Sequence, residues 1–257
     1  MLTASGPGSS GHVPVSDTVT PLWQLRGESA HAVEVVPASG YRRPMARPPR
    51  LEDPLGIYHV TARGNNRQSI FFDDVDRTVF SMMLGRAVLK HRWIVLTYCL
   101  MTNHYHLVLE IPHGGLSAGM QELNGGYSRR TNRRYGRTGH LFRNRFGATT
   151  VETDSHLLEV CRYVVLNPVR VGLCAEPGEW RWSSYRASAG LEHAPRFLAT
   201  DKLLRLFAPN PRSARAAFRS FVSEGPVPVS DTVTRGITQR DERRDGRRRG
   251  RATVTRG

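Results

Sequence analysis

His104 and His106 are the side chains whose type and spacing first suggest chemistry. They lie in the run Met101-Thr102-Asn103-His104-Tyr105-His106-Leu107-Val108-Leu109-Glu110, which reads as a strand. Successive side chains on a strand alternate faces, so His104 and His106 share one face with Val108 and Glu110, while Tyr105, Leu107, Leu109 and Ile111 take the other. Residues i and i+2 stand roughly 7 Å apart at Cα, close enough for two imidazoles to converge on one cation. The same spacing also describes two surface histidines, so the rest of the chain must decide. Glu110 is a candidate to support a ligand from the same face. His59, His140 and His156 are further imidazoles that read as spare ligands or partner contacts, or as neither.

The elements around this strand can be read in order. Ile57-Tyr58-His59-Val60-Thr61-Ala62-Arg63 is β-branched and aromatic, and Gly64-Asn65-Asn66 ends it as a turn. After Asp73-Asp74, which can cap a helix, Val79, Phe80, Met83, Leu84, Ala87 and Val88 recur at helical spacing to about His91. A second strand from Trp93 to Leu100 is separated from the histidine strand only by a short polar break, which predicts an antiparallel hairpin. Ser117 is expected to cap the next helix, whose stripe of Leu116, Met120, Leu123 and Tyr127 puts Tyr127 in the core. Phe142 to Val151 can supply a fourth strand.

Thr153 or Asp154 caps a further helix with the apolar stripe Leu157, Leu158, Cys161, Val164 and Val165. At about 100° per residue, Tyr163 projects nearly opposite the centre of that stripe. Asn167, one turn on, projects the same way, and His156 and Glu159 share that face; Pro168 is expected to end the helix. The order strand-helix-strand-strand-helix-strand predicts an α+β ferredoxin-like sandwich with a central antiparallel sheet carrying the His-x-His pair.

Charge narrows the choice of partner. The chain has 257 residues, 39% of them apolar, which suffices for a full core, and its formal charge is +15 with a pI near 10.8. Such a balance suits a polyanion, because each phosphate that is neutralised releases counterions. The charge is unevenly placed: Arg129, Arg130, Arg133, Arg134, Arg137, Arg143 and Arg145 fall in one stretch without an acidic residue. A second basic segment follows Thr234, with nine Arg against Asp241, Glu242 and Asp245. No run approaches a membrane span, and the N-terminus lacks the pattern of a signal peptide, so no membrane partner and a cytoplasmic, nucleoid-associated location are expected. Cys99, Cys161 and Cys174 show no Cys-x-x-Cys spacing and read as reduced core residues.

Several motifs in order now carry a resemblance. Gly56-Ile57-Tyr58-His59-Val60-Thr61-Ala62-Arg63-Gly64-Asn65-Asn66, Met101-Thr102-Asn103-His104-Tyr105-His106, Gly139-His140-Leu141-Phe142-Arg143-Asn144-Arg145-Phe146, Tyr163-Val164-Val165-Leu166-Asn167-Pro168-Val169-Arg170 and Trp182-Ser183-Ser184-Tyr185 together resemble the REP-associated tyrosine transposases, IS200-like members of the single-tyrosine HUH superfamily. The resemblance covers roughly Met45 to Gly190. It implies a metal held by His104 and His106 with Asn167 as third protein ligand, Tyr163 as the nucleophile, and single-stranded or hairpin DNA with short palindromic repeats as the partner. Relatives implied by it are monomers or homodimers. Two neutral imidazoles and an amide oxygen leave positions open for DNA oxygens and suit Mg²⁺ or Mn²⁺, although imidazole also accepts zinc. The Arg129 to Arg145 cluster is the expected phosphate grip.

Two other classes remain open at this level. One is a non-catalytic hairpin or single-strand binder that stacks bases on Phe142, Phe146 and Tyr135, and the other is a zinc-stabilised structural domain. The domain reading is a disordered extension over residues 1–50, a catalytic domain over 51–190, helices over 191–224 and a disordered basic tail over 225–257. Val13-Pro14-Val15-Ser16-Asp17-Thr18-Val19-Thr20 recurs unaltered as Val227 to Thr234. Val-Ser-Asp-Thr can be encoded with complementary GTGTC and GACAC, so the frame is read as running through two palindromic repeats, with Met45 as a candidate native start.

Overall fold

The computed structural model describes residues 56–225. Expectations about the N-terminal 50 residues, the duplicated octapeptide and the Arg-rich tail lie outside the described residues.

Strand β1 (Ile57–Arg63), helix α1 (Asp74–His91), strands β2 (Ile94–Leu100) and β3 (His104–Glu110), helix α2 (Leu116–Arg134) and strand β4 (Gly147–Val151) form the ferredoxin-like unit. Its sheet has the order β2-β3-β1-β4 with every neighbouring pair antiparallel. Local chemistry starts the elements where expected. Asp73 accepts the Asp76 amide and caps α1, and Thr153 accepts the His156 amide and caps α3 (Asp154–Arg170).

Strand alternation divides the core into two. Tyr58, Val60 and Ala62 of β1 with Tyr105, Leu107 and Leu109 of β3 face α1 and α2, and pack with Phe80, Leu84, Met120, Leu123 and Tyr127. The opposite face, with Leu96, Cys99, Val108 and Val151, is covered by α3 and, further on in the chain, by the helix Pro211–Ser223. Burying each of these large apolar side chains contributes about 1.5–3 kcal/mol. The sheet is therefore sandwiched, and α3 lies on the face that carries the histidines.

The edge of β2 is closed by the Trp-Ser-Ser-Tyr segment. The Leu100 amide donates to the Trp182 carbonyl at 2.8 Å, and the Ser184 amide to the Tyr98 carbonyl at 2.9 Å. The Ser184 and Thr97 hydroxyls hydrogen-bond at 2.5 Å. An open row of backbone donors and acceptors is thereby satisfied within the chain. The short helices α4 (Tyr185–Ser188) and α5 (Thr200–Leu204) follow, and the helix Pro211–Ser223 is α6.

Three local expectations are corrected. The fourth strand begins at Gly147: Phe142 makes only an isolated bridge to Gly64, and the exposed polar run Arg143-Asn144-Arg145 breaks alternation between Phe142 and Phe146. Helix α2 starts at Leu116 after Gly115, whose φ is 77°, so Ser117 lies inside it. Pro168 does not end α3, which runs on to Arg170. Proline's missing N–H leaves only the Val164 carbonyl without its helical donor, a modest loss within the last turn. Asn167 is consequently held in helical geometry.

Candidate active site

The site is built on the α3 face of β1 and β3. In register, His104 stands opposite Arg63 and His106 opposite Thr61, so His59, Thr61 and Arg63 of β1 share the face of the histidine pair. His59 Nε2 lies 2.9 Å from His106 Nδ1, both rings being buried. The His104 and His106 ring centroids are 5.0 Å apart at an interplanar angle of 80°.

Asn103 explains why His104 is held. Its side-chain amide nitrogen donates to the Arg67 carbonyl at 2.9 Å, and its Oδ1 lies 2.7 Å from His104 Nδ1. Because that oxygen can only accept, His104 donates from Nδ1 and keeps a lone pair on Nε2. The turn that presents Arg67 needs Gly64: a Cβ there would stand 2.0 Å from the Gln68 carbonyl oxygen. Asn66 and Arg67 both take left-handed φ, 50° and 58°.

Helix α3 brings the other groups. Tyr163 sets its ring edge-on to His106, centroids 5.6 Å apart, and to His59, 6.1 Å apart. Asn167 is buried and lies close enough to His104 to act on its titration. The Arg170 guanidinium lies 5.2 Å from the Tyr163 ring centroid, within cation–π range. Glu159 turns away from this group and pairs with Arg162, which stacks on Phe221 of α6. His156, in the first turn of α3, is close enough to His59 to act on it through its charge.

Burial sets the protonation of the imidazoles. Burial lowers the His59 pKa to about 4, aided by His156. It lowers His104 to about 4 as well, with Arg63 adding and Asn167 opposing. His106 is pushed well below the usual value by burial first and then by His59, His104 and Arg63. All three rings are neutral at pH 7, the state in which imidazole ligates a cation.

Fit to a cation can be judged from the donors. Nε2 of His106 is buried without a hydrogen-bond partner among the described residues, a deficit that ordinarily costs about 1–3 kcal/mol. A buried ring nitrogen without a partner, beside a second neutral imidazole and a buried amide, fits a cation site. Among the described residues no three His, Cys, Asp or Glu side chains converge as a complete cage, so further ligands would have to come from Asn167 and from substrate oxygens.

Other residues singled out in the sequence are placed elsewhere. Tyr127 is buried on the opposite face of the sheet, its hydroxyl donating to the Ile70 carbonyl at 2.7 Å, and burial raises its phenol pKa. Glu110 forms an ion pair with Lys202 at the far end of β3, so it does not support the histidines. His140 is exposed in the segment before β4. Phe142 and Phe146 are buried in the core with α1 and α2, which removes them as base-stacking surfaces.

The arginine cluster separates into two groups. Arg134 is tied to Asp73 and Asp76, both at 2.6 Å, and Tyr135 donates to Asp76 at 2.9 Å. Arg137 donates to Gln68 at 3.1 Å and lies over Phe72. Arg129, Arg130, Arg133, Arg143 and Arg145 are exposed. The residues that sequence reading missed are His59 as a neighbour of His106, Arg63 beside both histidines, and Arg170 over Tyr163. Alternation on β1 could have grouped His59 with Arg63, but only with the β1–β3 pairing in hand.

An antiparallel α+β sandwich that sets a helical tyrosine against paired strand histidines defines a class of fold and site. Residues 55–167 match the family model described as Transposase IS200 like. No curated protein matches the chain in sequence. Among solved structures, one titled as a REP-associated tyrosine transposase bound to a REP hairpin is similar over 60% of this chain and 92% of its own, at 16% identity and a TM-score of 0.49. A tRNA(His) guanylyltransferase from Saccharomyces cerevisiae is similar over 67% of this chain and 80% of its own, at 9% identity and a TM-score of 0.37.

Proposed function

We propose that this protein is an IS200-like transposase that cleaves and rejoins single-stranded DNA beside short hairpin repeats through a covalent link to Tyr163. The observation that carries the reading is the meeting of Tyr163 and Asn167 from α3 with His104 and His106 from β3, elements far apart in the chain. The ordered motifs that resemble the REP-associated tyrosine transposases support the choice of hairpin DNA.

In the proposed reaction the Tyr163 phenol oxygen forms a bond to phosphorus and loses its proton, the bond from phosphorus to the 3′-oxygen breaks, and the departing 3′-oxygen takes up a proton. The product is a 5′-phosphotyrosine and a free 3′-OH. Holding the broken bond as a phosphodiester to tyrosine lets the reverse attack rejoin strands without ATP. A divalent cation, Mg²⁺ or Mn²⁺, held by His104, His106 and Asn167 would neutralise phosphate charge and polarise a non-bridging oxygen. Arg63 stands on the same strand face to attract the phosphate, and the exposed members of the Arg129 to Arg145 cluster bind the flanking backbone.

Incubation with labelled hairpin DNA carrying a single-stranded flank tests this. A protein–DNA adduct that survives denaturation, requires a divalent cation and disappears in Tyr163→Phe is the expected result. Binding without any adduct would instead make the protein a hairpin binder.

A further inference from the structure

We propose that His59 is a positioning residue that holds the His106 ring in its Nδ1–H tautomer and so keeps Nε2 of His106 bare for a divalent cation. The inference rests on the metal reading above and goes beyond it, because it assigns a task to a residue that touches neither cation nor DNA.

The geometry allows only two proton arrangements. His59 Nε2 and His106 Nδ1 are 2.9 Å apart, and each neutral ring carries one proton, so one of the two atoms donates and the other accepts. If His59 donates, the His106 proton sits on Nε2. That N–H would then be buried without an acceptor among the described residues, and the nitrogen could not ligate. If His106 donates, Nε2 is left as a lone pair, and His59 carries its own proton on Nδ1. Only the second arrangement leaves an atom free to bind a cation, and it relieves the buried deficit once one is bound.

His59 cannot readily serve as a ligand itself through the same atom, since its Nε2 is committed to His106. Its orientation is set by the fold. Thr61 is the register partner of His106, so His59 reaches His106 diagonally, and Tyr163 closes on both rings edge-on. His104 is treated in parallel by Asn103, whose Oδ1 accepts from Nδ1 at 2.7 Å. Both strand histidines thus have Nδ1 engaged, through different partners.

Two measurements test the proposal. Long-range ¹H–¹⁵N NMR of the cation-free wild-type protein reads the His106 tautomer directly. Nδ1–H is expected, and Nε2–H overturns the proposal without recourse to any variant. Mn²⁺ binding, followed by calorimetry, is then compared among the wild type, His59→Phe, which removes the acceptor at similar volume, and His59→Gln, whose Oε1 can accept in place of Nε2. Binding about 10- to 100-fold weaker in His59→Phe is expected, with most of it restored in His59→Gln. Equal affinity in wild type and His59→Phe overturns the proposal, as does a His59→Gln protein no better than His59→Phe. A wild-type protein with the Nδ1–H tautomer that binds no Mn²⁺ overturns the metal reading, and with it the purpose assigned to the tautomer.

Discussion

The Tyr163 ring meets the His106 ring edge-on, with centroids 5.6 Å apart and planes at 86°, across the seam between α3 and β3. The tyrosine is half-buried on α3, while the imidazole belongs to the sheet beneath it. In the proposed reaction, a nucleophile and a phosphate-neutralising site held on two rigid elements would need little reorganisation to act together.

Tyr163→Phe should abolish the denaturation-resistant DNA adduct while leaving non-covalent affinity within about twofold, since it removes one oxygen and keeps the ring. Tyr127→Phe should keep the adduct. It should lower stability by about 1–3 kcal/mol, because the buried Ile70 carbonyl loses its donor. Adduct gels and urea denaturation of both variants check the pair, and an adduct formed by Tyr163→Phe would refute the assignment.

Removal of His106 should separate chemistry from folding. His106→Ala is expected to lose cleavage and most Mn²⁺ affinity with a folded far-UV spectrum, and Asn167→Ala to weaken both. Cleavage by the wild type that persists undiminished in excess EDTA would rule out the cation.

Among the arginines, Arg129, Arg130 and Arg133 should govern DNA affinity more than Arg134, which is tied to Asp73 and Asp76. Glu substitution of Arg129, Arg130 and Arg133 should flatten the slope of log affinity against log salt by about 0.7–0.9 for each phosphate no longer neutralised. Arg134→Ala behaves differently: it takes the cationic partner from Asp76, whose side chain is 4% exposed, and should lower the urea midpoint. A salt slope unchanged by the triple substitution would exclude this surface as the phosphate grip.

Acid should weaken the cation-free protein in a defined window. His59 and His104 titrate near 4 when folded and near 6.5 when unfolded. The unfolded chain therefore binds more protons between those values, so the stability these groups contribute is present above about 6.5 and is lost as pH falls towards about 4. Urea midpoints measured across that window should fall with pH. A flat profile would mean that the imidazoles are not buried as neutral rings.

Much of this site was legible along the chain. Period-2 alternation in β3 put His104 and His106 on one face, and the helical period of α3 put Tyr163 and Asn167 together away from its apolar centre. These are local facts, set by backbone geometry within one element. The order of elements was enough for the ferredoxin-like sheet, since sequential hairpins and split crossovers leave few pairings.

Partnerships between elements were not legible in that way. Alternation says which side chains share a face, but not which layer covers that face, and α3 could have lain over either side of β3 without changing a single period. The pairing of β1 with β3 joined His59 to His106 and set Arg63 opposite His104, a consequence of strand order and register between segments more than 40 residues apart. Docking of α2 on α1 turned Arg134 from an expected DNA contact into a partner of Asp73 and Asp76, and packing of the loop before β4 buried Phe142 and Phe146. Residue type and spacing announce which side chains can do chemistry; which of them meet is settled by burial and register, through long-range packing that no local pattern encodes.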